Sequence, residues 1–445
     1  MAVGLPAGVD GTAGTAGRVG ESEAASADSA DWLAALTAPP GAELLARAAE
    51  ALAAGEEFGV GARLRAAGWA PELVAAAFTQ AELRRRAAGG FSRAAEMMFT
   101  RAGLEQSTTE PVARHRAARF AGLGRVADLC TGIGGDLLAL AAAGHSTVAV
   151  DRDPLHLRVA VHNARIYAPD AAIDPRDADV RDVELSGVDA VFVDPARRAN
   201  GRRFAAGTSE PPLSWCFALA ERIAPVAVKA APGLPTALVP PGWELEFVAE
   251  GRDLKEAVLF SPALAGGSPR RATVLLPAAR TGVGPEAGGA VATLAGIPDD
   301  GDESGRALGG PGGYLYDPSP AVTRAGLVGE LASRLGAWQV DPMIAFLTAD
   351  EAVSTPFARL LRVEASLPFE VRKLAALLRG MGISALELRR RGLAGDVDTL
   401  RRRLLPARRD LVAGGPAVTV VMTRHDDRPW ALVCTVPSPP GRDTE

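Results

Sequence analysis

Lysine is nearly absent. Only Lys229, Lys255 and Lys373 occur in 445 residues, although lysine and arginine together number 48. The arginine excess reads as codon bias and by itself assigns no function. Cysteine is equally sparse. Cys130, Cys216 and Cys434 lie far apart, which excludes a disulfide framework or a cysteine-based metal motif and fits a reducing compartment. The five histidines (His115, His145, His156, His162 and His425) stand at no triad or metal-ligand spacing, so they receive no role and no metal is expected. No apolar run reaches the length of a bilayer-spanning helix. Residues 1–27 have neither a basic start nor an apolar centre, so no secretory leader is read there and the chain is placed in the cytoplasm. An excess of positive charge is missing too: the net charge is −5, which gives no whole-chain signature of nucleic-acid binding.

What is present is a globular composition, 48% hydrophobic and 23% charged, on a chain long enough for two or three domains. Residues 1–30 are rich in Gly, Ala and Ser and are expected to be a disordered tail. A helical N-terminal region is expected over 31–120. Leu44, Leu45, Ala48, Ala49 and Leu52 mark one apolar helix face; Leu73, Val74, Ala77, Phe78 and Ala81 mark another, started by Pro71 and ended by Gly89 and Gly90. A third helix-like stretch, 91–100, carries Met97 and Met98, read as core. Thr109, Glu110 and Pro111 read as a helix start. The residues before it, 106–109, are either part of that cap or a polar flap over a ligand.

The centre of the chain is 126–154, VADLCTGIGGDLLALAAAGHSTVAVDRDP. An apolar run ends in Asp128. A turn with Gly132, Gly134 and Gly135 follows, then an apolar helix, then a second apolar run ending in Asp151. That is a βαβ unit with a nucleotide-type site at its carboxyl edge. The glycine spacing departs from GxGxxG, and Asp136 stands where a helix start receives a pyrophosphate. A carboxylate there disfavours a diphosphate and argues against a nicotinamide dehydrogenase. Asp128 suits a cationic group, so the expected ligand is a nucleoside that is cationic and free of phosphate. Further strands are read at 188–193, ending in Asp194, and at 225–229. A closing pair at 245–249 and 257–260 is read as an antiparallel edge. The alternation implies a doubly wound, largely parallel α/β sheet. Residues 278–313 read as a Gly/Pro-rich linker. A third unit of α+β type spans 314–437, with helices at 321–335 and 370–381, and a short tail covers 438–445. From 359 to 409 thirteen bases face five acids, densest at Arg389, Arg390 and Arg391 and at Arg401, Arg402 and Arg403. Such a local basic field inside an acidic chain is the footprint of phosphate-backbone binding.

DLCTGIGGD at 128–136 resembles motif I of the class I S-adenosylmethionine-dependent methyltransferases. VDRDP at 150–154 resembles their second-strand acidic motif, and DPARR at 194–198 stands at their fourth-strand catalytic motif. Glu105–Gln106–Ser107–Thr108, VFVDPARR, VKAAPG and KEAVL are similar to segments of a bacterial group that joins this domain to a C-terminal THUMP-like domain. Motif I also resembles that of trimethylguanosine synthases. The resemblance implies a Rossmann-like methyltransferase domain over 121–277, with S-adenosyl-L-methionine as cofactor. It implies that Asp128, Gly132 and Gly134 line the methionine and ribose part, and that Asp151 binds the ribose hydroxyls. Asp179 would receive the adenine amino group, in rivalry with Asp177 and Asp182, and Asp194 would act beside the transferable methyl as the catalytic group. Cys130 stands where many of these enzymes have glycine and is read as a small filler, not a nucleophile. Arg197 and Arg198 would hold an anionic substrate group, and Arg389, Arg390 and Arg391 would contact RNA, the partner with which THUMP domains are associated. The Asn/Asp-Pro-Pro-aromatic tetrad of base-amino methyltransferases is missing, and so is a fourth-motif cysteine, which leaves the acceptor atom open between nitrogen and oxygen. The rival readings are a small-molecule or protein methyltransferase, and a non-catalytic RNA-binding protein.

Overall fold

The computed structural model describes residues 31–196, 198–199, 202–203, 207–276, 290–299, 307–392, 396–405 and 411–437. The expected tails at 1–30 and 438–445 lie outside them. The chain divides into two compact units, 1–82 and 83–445. In the first, helices α1 (Asp31–Thr37), α2 (Pro39–Ala54), α3 (Glu57–Ala66) and the start of α4 (Pro71–Ala87) form a small bundle. Leu44, Leu45 and Ala48 of α2 are buried, as their spacing predicts.

The second unit holds two large sheets and a two-stranded one among the described residues. The larger has nine strands: β1 (Arg125–Leu129), β2 (Ser146–Asp151), β3 (Ile173–Asp177), β4 (Ala190–Val193), β7 (Val226–Ala230), β8 (Glu244–Glu250), β9 (Asp253–Phe260), β10 (Arg270–Leu275) and β11 (Val291–Gly296). Between β4 and β7, the short strands β5 (Arg198–Ala199) and β6 (Arg202–Arg203) pair only with each other. The order across the large sheet is β11-β10-β8-β9-β7-β4-β1-β2-β3. β1, β2, β3, β4 and β7 are parallel, so helices must return the chain over its faces. They are α7 (Leu137–Ala142), α8 (Pro154–Tyr167) and α9 (Leu213–Ala218), while α5 (Arg101–Gln106) and α6 (Glu110–Ala117) precede β1.

Side chains alternate between the two faces of a strand, and that alternation sorts this sheet. Ala127, Leu129, Val148, Val150, Val191, Val193, Val226, Val228, Leu245, Phe247, Ala257 and Leu259 pack into one core cluster. Their chain neighbours face the other way: Asp128 on β1, Lys229 on β7, Glu244 and Glu246 on β8, and Glu256 on β9. All of these are buried. The polar face is made habitable by the segment 115–119. His115 pairs with Glu246 at 2.8 Å, Arg119 reaches Glu244 at 2.7 Å, and Arg116 bridges Asp136 and Glu256. The Arg116 guanidinium also lies over the Phe192 ring, 4.5 Å from its centroid.

Four expectations change here. The pair β8/β9 is not an edge, because β10 runs parallel to β8 and β11 closes the sheet antiparallel to β10. Residues 291–296, read as linker, are therefore a strand, while 278–289 and 300–306 lie outside the described residues. Residues 91–100 form turns rather than a helix, although Met97 and Met98 are buried as expected. The single helix expected at 321–335 is two, α10 (Pro320–Ala325) and α11 (Val328–Leu335), because Gly326 adopts φ 71° and ends the first. Those two helices do not stand apart with the C-terminal unit. Ala321, Val322, Leu327 and Leu331 join the core cluster of the large sheet.

The second sheet runs β13-β14-β12-β15-β18-β17-β16, built from β12 (Tyr314–Pro318), β13 (Trp338–Gln339), β14 (Leu347–Ala349), β15 (Ala358–Pro368), β16 (Ala385–Arg390), β17 (Ala417–His425) and β18 (Arg428–Thr435). Helices α12 (Val371–Gly380) and α13 (Val397–Leu404) carry leucines into the core on one face of this sheet. Among the described residues no helix is long and apolar enough to cross a membrane.

Removing Arg116 strands two buried carboxylates at once. Arg116→Ala is expected to destabilise the protein by about 3–5 kcal/mol in urea unfolding; a loss below about 1 kcal/mol would show that the bridge is dispensable.

Candidate active site

The parallel strands end at one cavity of about 410 Å³. Its walls include Gln106, Ser107 and Thr108 from the segment before α6, Cys130, Thr131, Gly132, Gly135 and Asp136 from the glycine turn, Asp151 at the end of β2 and Asp153 just beyond it, Asp179 after β3, and Asp194, Pro195 and Ala196 after β4. The topology forces this gathering. β1 lies between β2 and β4, and Leu129, Val150 and Val193 stand level across the three strands. The residues that follow therefore emerge together at the carboxyl edge, where open α/β sheets bind their ligands.

The glycine turn is held before any ligand arrives. Asp151 accepts from the Gly132 amide at 2.7 Å with Oδ2 and from the Asp153 amide at 2.9 Å with Oδ1. Each oxygen keeps a lone pair for a further donor. Gly134 and Gly135 are glycines for want of space. A Cβ on Gly134, which has φ 85°, would meet Ala160 Cα of α8 at 2.8 Å, and one on Gly135 would meet the Thr108 carbonyl at 2.8 Å. Gly134 is thus a packing residue beneath the cavity, and it is Gly135 that lines it. Cys130 sits in the left-handed region at φ 62°, which explains why glycine is common at such a position. Burial raises its thiol well above the ordinary range, so it stays neutral.

Asp128 lies just below the cavity floor, 1% exposed. Neither carboxylate oxygen has a hydrogen-bond partner. Burial raises its pKa to about 7, Asp194 and Asp151 add to the rise, and Arg116 opposes it. Asp136, in contrast, is fully satisfied: Thr108 Oγ1 donates to Oδ2 at 2.8 Å, and Arg116 holds Oδ1. The expectation that Asp136 repels a diphosphate is therefore corrected, since its charge is matched from within the fold. Asp179 is engaged by Arg181 through both oxygens, at 2.8 and 2.6 Å, and its pKa is lowered to about 2 by those hydrogen bonds. Arg181 also reaches Glu210 on the far wall at 3.0 Å. Asp177 ends β3, and neither it nor Asp182 is among the cavity residues.

Two side chains of the site were not singled out by sequence. Lys229 Nζ, 4% exposed, donates to Asp194 Oδ2 at 2.6 Å and to Thr108 Oγ1 at 2.8 Å. The signal was available: a lysine inside the apolar strand VAVKA, in a chain with three lysines. Arg116 gave no such signal, because its partners are distant in sequence. Of the expected substrate residues, Arg197 and the Arg198 side chain lie outside the described residues. Arg389, Arg390 and Arg391 lie at the end of β16 and just beyond it and do not line the cavity. Arg389 is paired with Glu387, and Arg391 with the buried Asp317. Among the described residues no group of three or more His, Cys, Asp or Glu is placed to hold a metal ion.

Comparison with known proteins then identifies the fold and the chemistry. Two curated proteins of Mycobacterium tuberculosis strains, each named an uncharacterized S-adenosylmethionine-dependent methyltransferase, are 36% identical over 355 residues. That span is 77% of this chain and 90% of theirs. The chain belongs to the S-adenosylmethionine-dependent methyltransferases. Its methyl donor is accordingly S-adenosylmethionine. The family model for RNA cap guanine-N2 methyltransferase matches residues 123–267, one for a THUMP domain-like unit matches 358–436, and one for a domain of unknown function matches 29–87. A crystal structure from Porphyromonas gingivalis W83 that bears a methyltransferase name covers 83% of this chain and 92% of its own. At 23% identity and a TM-score of 0.67 it shows the same fold.

The raised Asp128 value has a stability consequence. The folded, ligand-free methyltransferase keeps a proton that the unfolded chain releases from about pH 4, so stability falls between about pH 4 and 7. Asp128→Asn removes that cost. The variant is expected to be more stable than the wild type at pH 8, by up to about 4 kcal/mol, with the gap narrowing at pH 5.5. Urea unfolding that gives equal stabilities at both pH values would contradict the assignment.

Proposed function

We propose that this methyltransferase acts on RNA, at a nucleophile that carries a proton, with Asp194 as the group that receives it. The observation that carries the acceptor reading is the state of Asp194. Its Oδ2 is taken by Lys229, and Oδ1 has no protein partner among the described residues at a cavity-lining position. The lining is rich in carboxylates, with Glu105, Asp136, Asp151, Asp153, Asp179, Asp194 and Glu210 against Arg152. Several of these carboxylates are ion-paired from within the fold, and the oxygens left over accept hydrogen bonds from an amino edge. An exocyclic base amine is the best match, in keeping with the guanine-N2 description of the matching family model.

The residues present fit the donor. Asp128 offers two unpartnered oxygens to a cationic group, and Asp151 retains acceptor capacity for ribose hydroxyls. Gly132 keeps the backbone open to the ligand, and Asp179, which lines the cavity beyond β3, would receive the adenine amino group. Gly134 acts only through packing. S-adenosylmethionine supplies a methyl group already activated by its sulfonium. The chain's part is to align the nucleophile, exclude water and take the proton it sheds. In this reading Asp194 Oδ1 takes that proton.

The RNA reading rests on the THUMP domain-like match and on the charge of the C-terminal unit. Arg390, Arg401, Arg402 and Arg403 are exposed and suited to phosphates. Arg389 and Arg391, tied to internal carboxylates, contribute less. The proposed division is a donor-binding domain up to about β11 and an RNA-binding C-terminal unit. The test is transfer of tritiated methyl groups to cell extract from a strain lacking the gene, separated into RNA and protein. Label is expected in RNA, falling on the order of 100-fold or more with Asp194→Ala. Label confined to the protein fraction would overturn the RNA assignment.

A further inference from the structure

Lys229 stands inside β7, on the face opposite Val226, Val228 and Ala230. Val193 and Val228 are level across β4 and β7, so Asp194 and Lys229, one residue on, are cross-strand neighbours. A lysine 4% exposed pays a large desolvation cost unless its charge and donors are matched. Two donors are matched: Asp194 Oδ2 at 2.6 Å and Thr108 Oγ1 at 2.8 Å. The Thr108 hydroxyl has committed its own proton to Asp136 Oδ2 at 2.8 Å, and Arg116 holds the other oxygen of Asp136. The hydroxyl is therefore only an acceptor toward Lys229, and the ammonium has a fixed seat.

From this we propose that Lys229 is the positioning residue of the acceptor site, seated by Thr108 so as to hold Asp194 by Oδ2 and present Oδ1 to the incoming nucleophile. The inference rests on the reading of Asp194 as the acceptor-side group. It adds a cause for that reading: Lys229 offsets the repulsion from Asp128 and Asp151 and fixes which oxygen reacts. The chain from Asp194 through Lys229, Thr108, Asp136 and Arg116 to Glu256 then ties the acceptor side to the glycine turn and to the buried face of the sheet.

Two measurements test it. The first uses the fraction, RNA or protein, that the wild type labels, so a failure of the RNA reading leaves it intact. Lys229→Met is expected to lower kcat about 100-fold, the scale of a misplacement near 1 Å. KM for S-adenosylmethionine and the calorimetric affinity for S-adenosylhomocysteine should stay within about threefold, and Lys229→Arg should recover most of the rate. The second needs no acceptor. With three lysines, the side-chain ammonium NMR signals of labelled protein are assignable by single Lys→Arg variants. Asp194→Asn should move the Lys229 signal and leave those of Lys255 and Lys373 in place. A wild-type kcat in Lys229→Met, a loss of cofactor affinity parallel to the loss of rate, or a Lys229 signal indifferent to Asp194→Asn would each overturn the proposal.

Discussion

Carboxylates crowd the ends of adjacent parallel strands, and their mutual repulsion in a partly dry cavity is the constraint that the surrounding structure answers. Asp151 and Asp194 emerge level at the ends of β2 and β4, and Asp128 stands two residues lower, inside β1 between them. The protein compensates unevenly. Asp194 has Lys229, Asp136 has Arg116, and Asp151 has two backbone amides. Asp128 has no hydrogen-bond partner for its carboxylate; burial first, then Asp194 and Asp151, raise its pKa to about 7. In the proposed reading a cationic ligand would complete the balance, which favours a sulfonium- and ammonium-bearing donor over a diphosphate.

The same logic explains the polar face of the sheet. Three glutamates on β8 and β9 are buried against His115, Arg116 and Arg119. Arg116 serves both systems, joining Glu256 of the sheet to Asp136 of the glycine turn. Fold and site are therefore coupled through one guanidinium. Asp194, the proposed acceptor-side group, joins the same chain through Lys229 and Thr108.

Much of this was legible from sequence where the signal is local. Apolar runs closed by an acid placed β1, β2 and β4, and the turn between the first two placed the site. Resemblance of DLCTGIGGD, VDRDP and DPARR to known motifs named the chemistry. What escaped is non-local or masked by composition. β11 lies in a Gly/Pro-rich stretch whose pairing with β10 no periodicity announces. Gly326 splits a pattern that remains helical on both sides. The acid at 136 looked like free charge because its partner, Arg116, precedes it by twenty residues and meets it only in the fold. The arginines at 389 and 391 looked available because Glu387 and Asp317 come to them through strand geometry.

The central claim is that the acids at the ends of β1 and β2 hold the methyl donor. Titration calorimetry of S-adenosylhomocysteine against wild type and Asp151→Ala tests it most directly. Loss of charged hydrogen bonds to two ribose hydroxyls predicts an affinity lower by about 100-fold. Equal affinities in the two proteins would contradict the account.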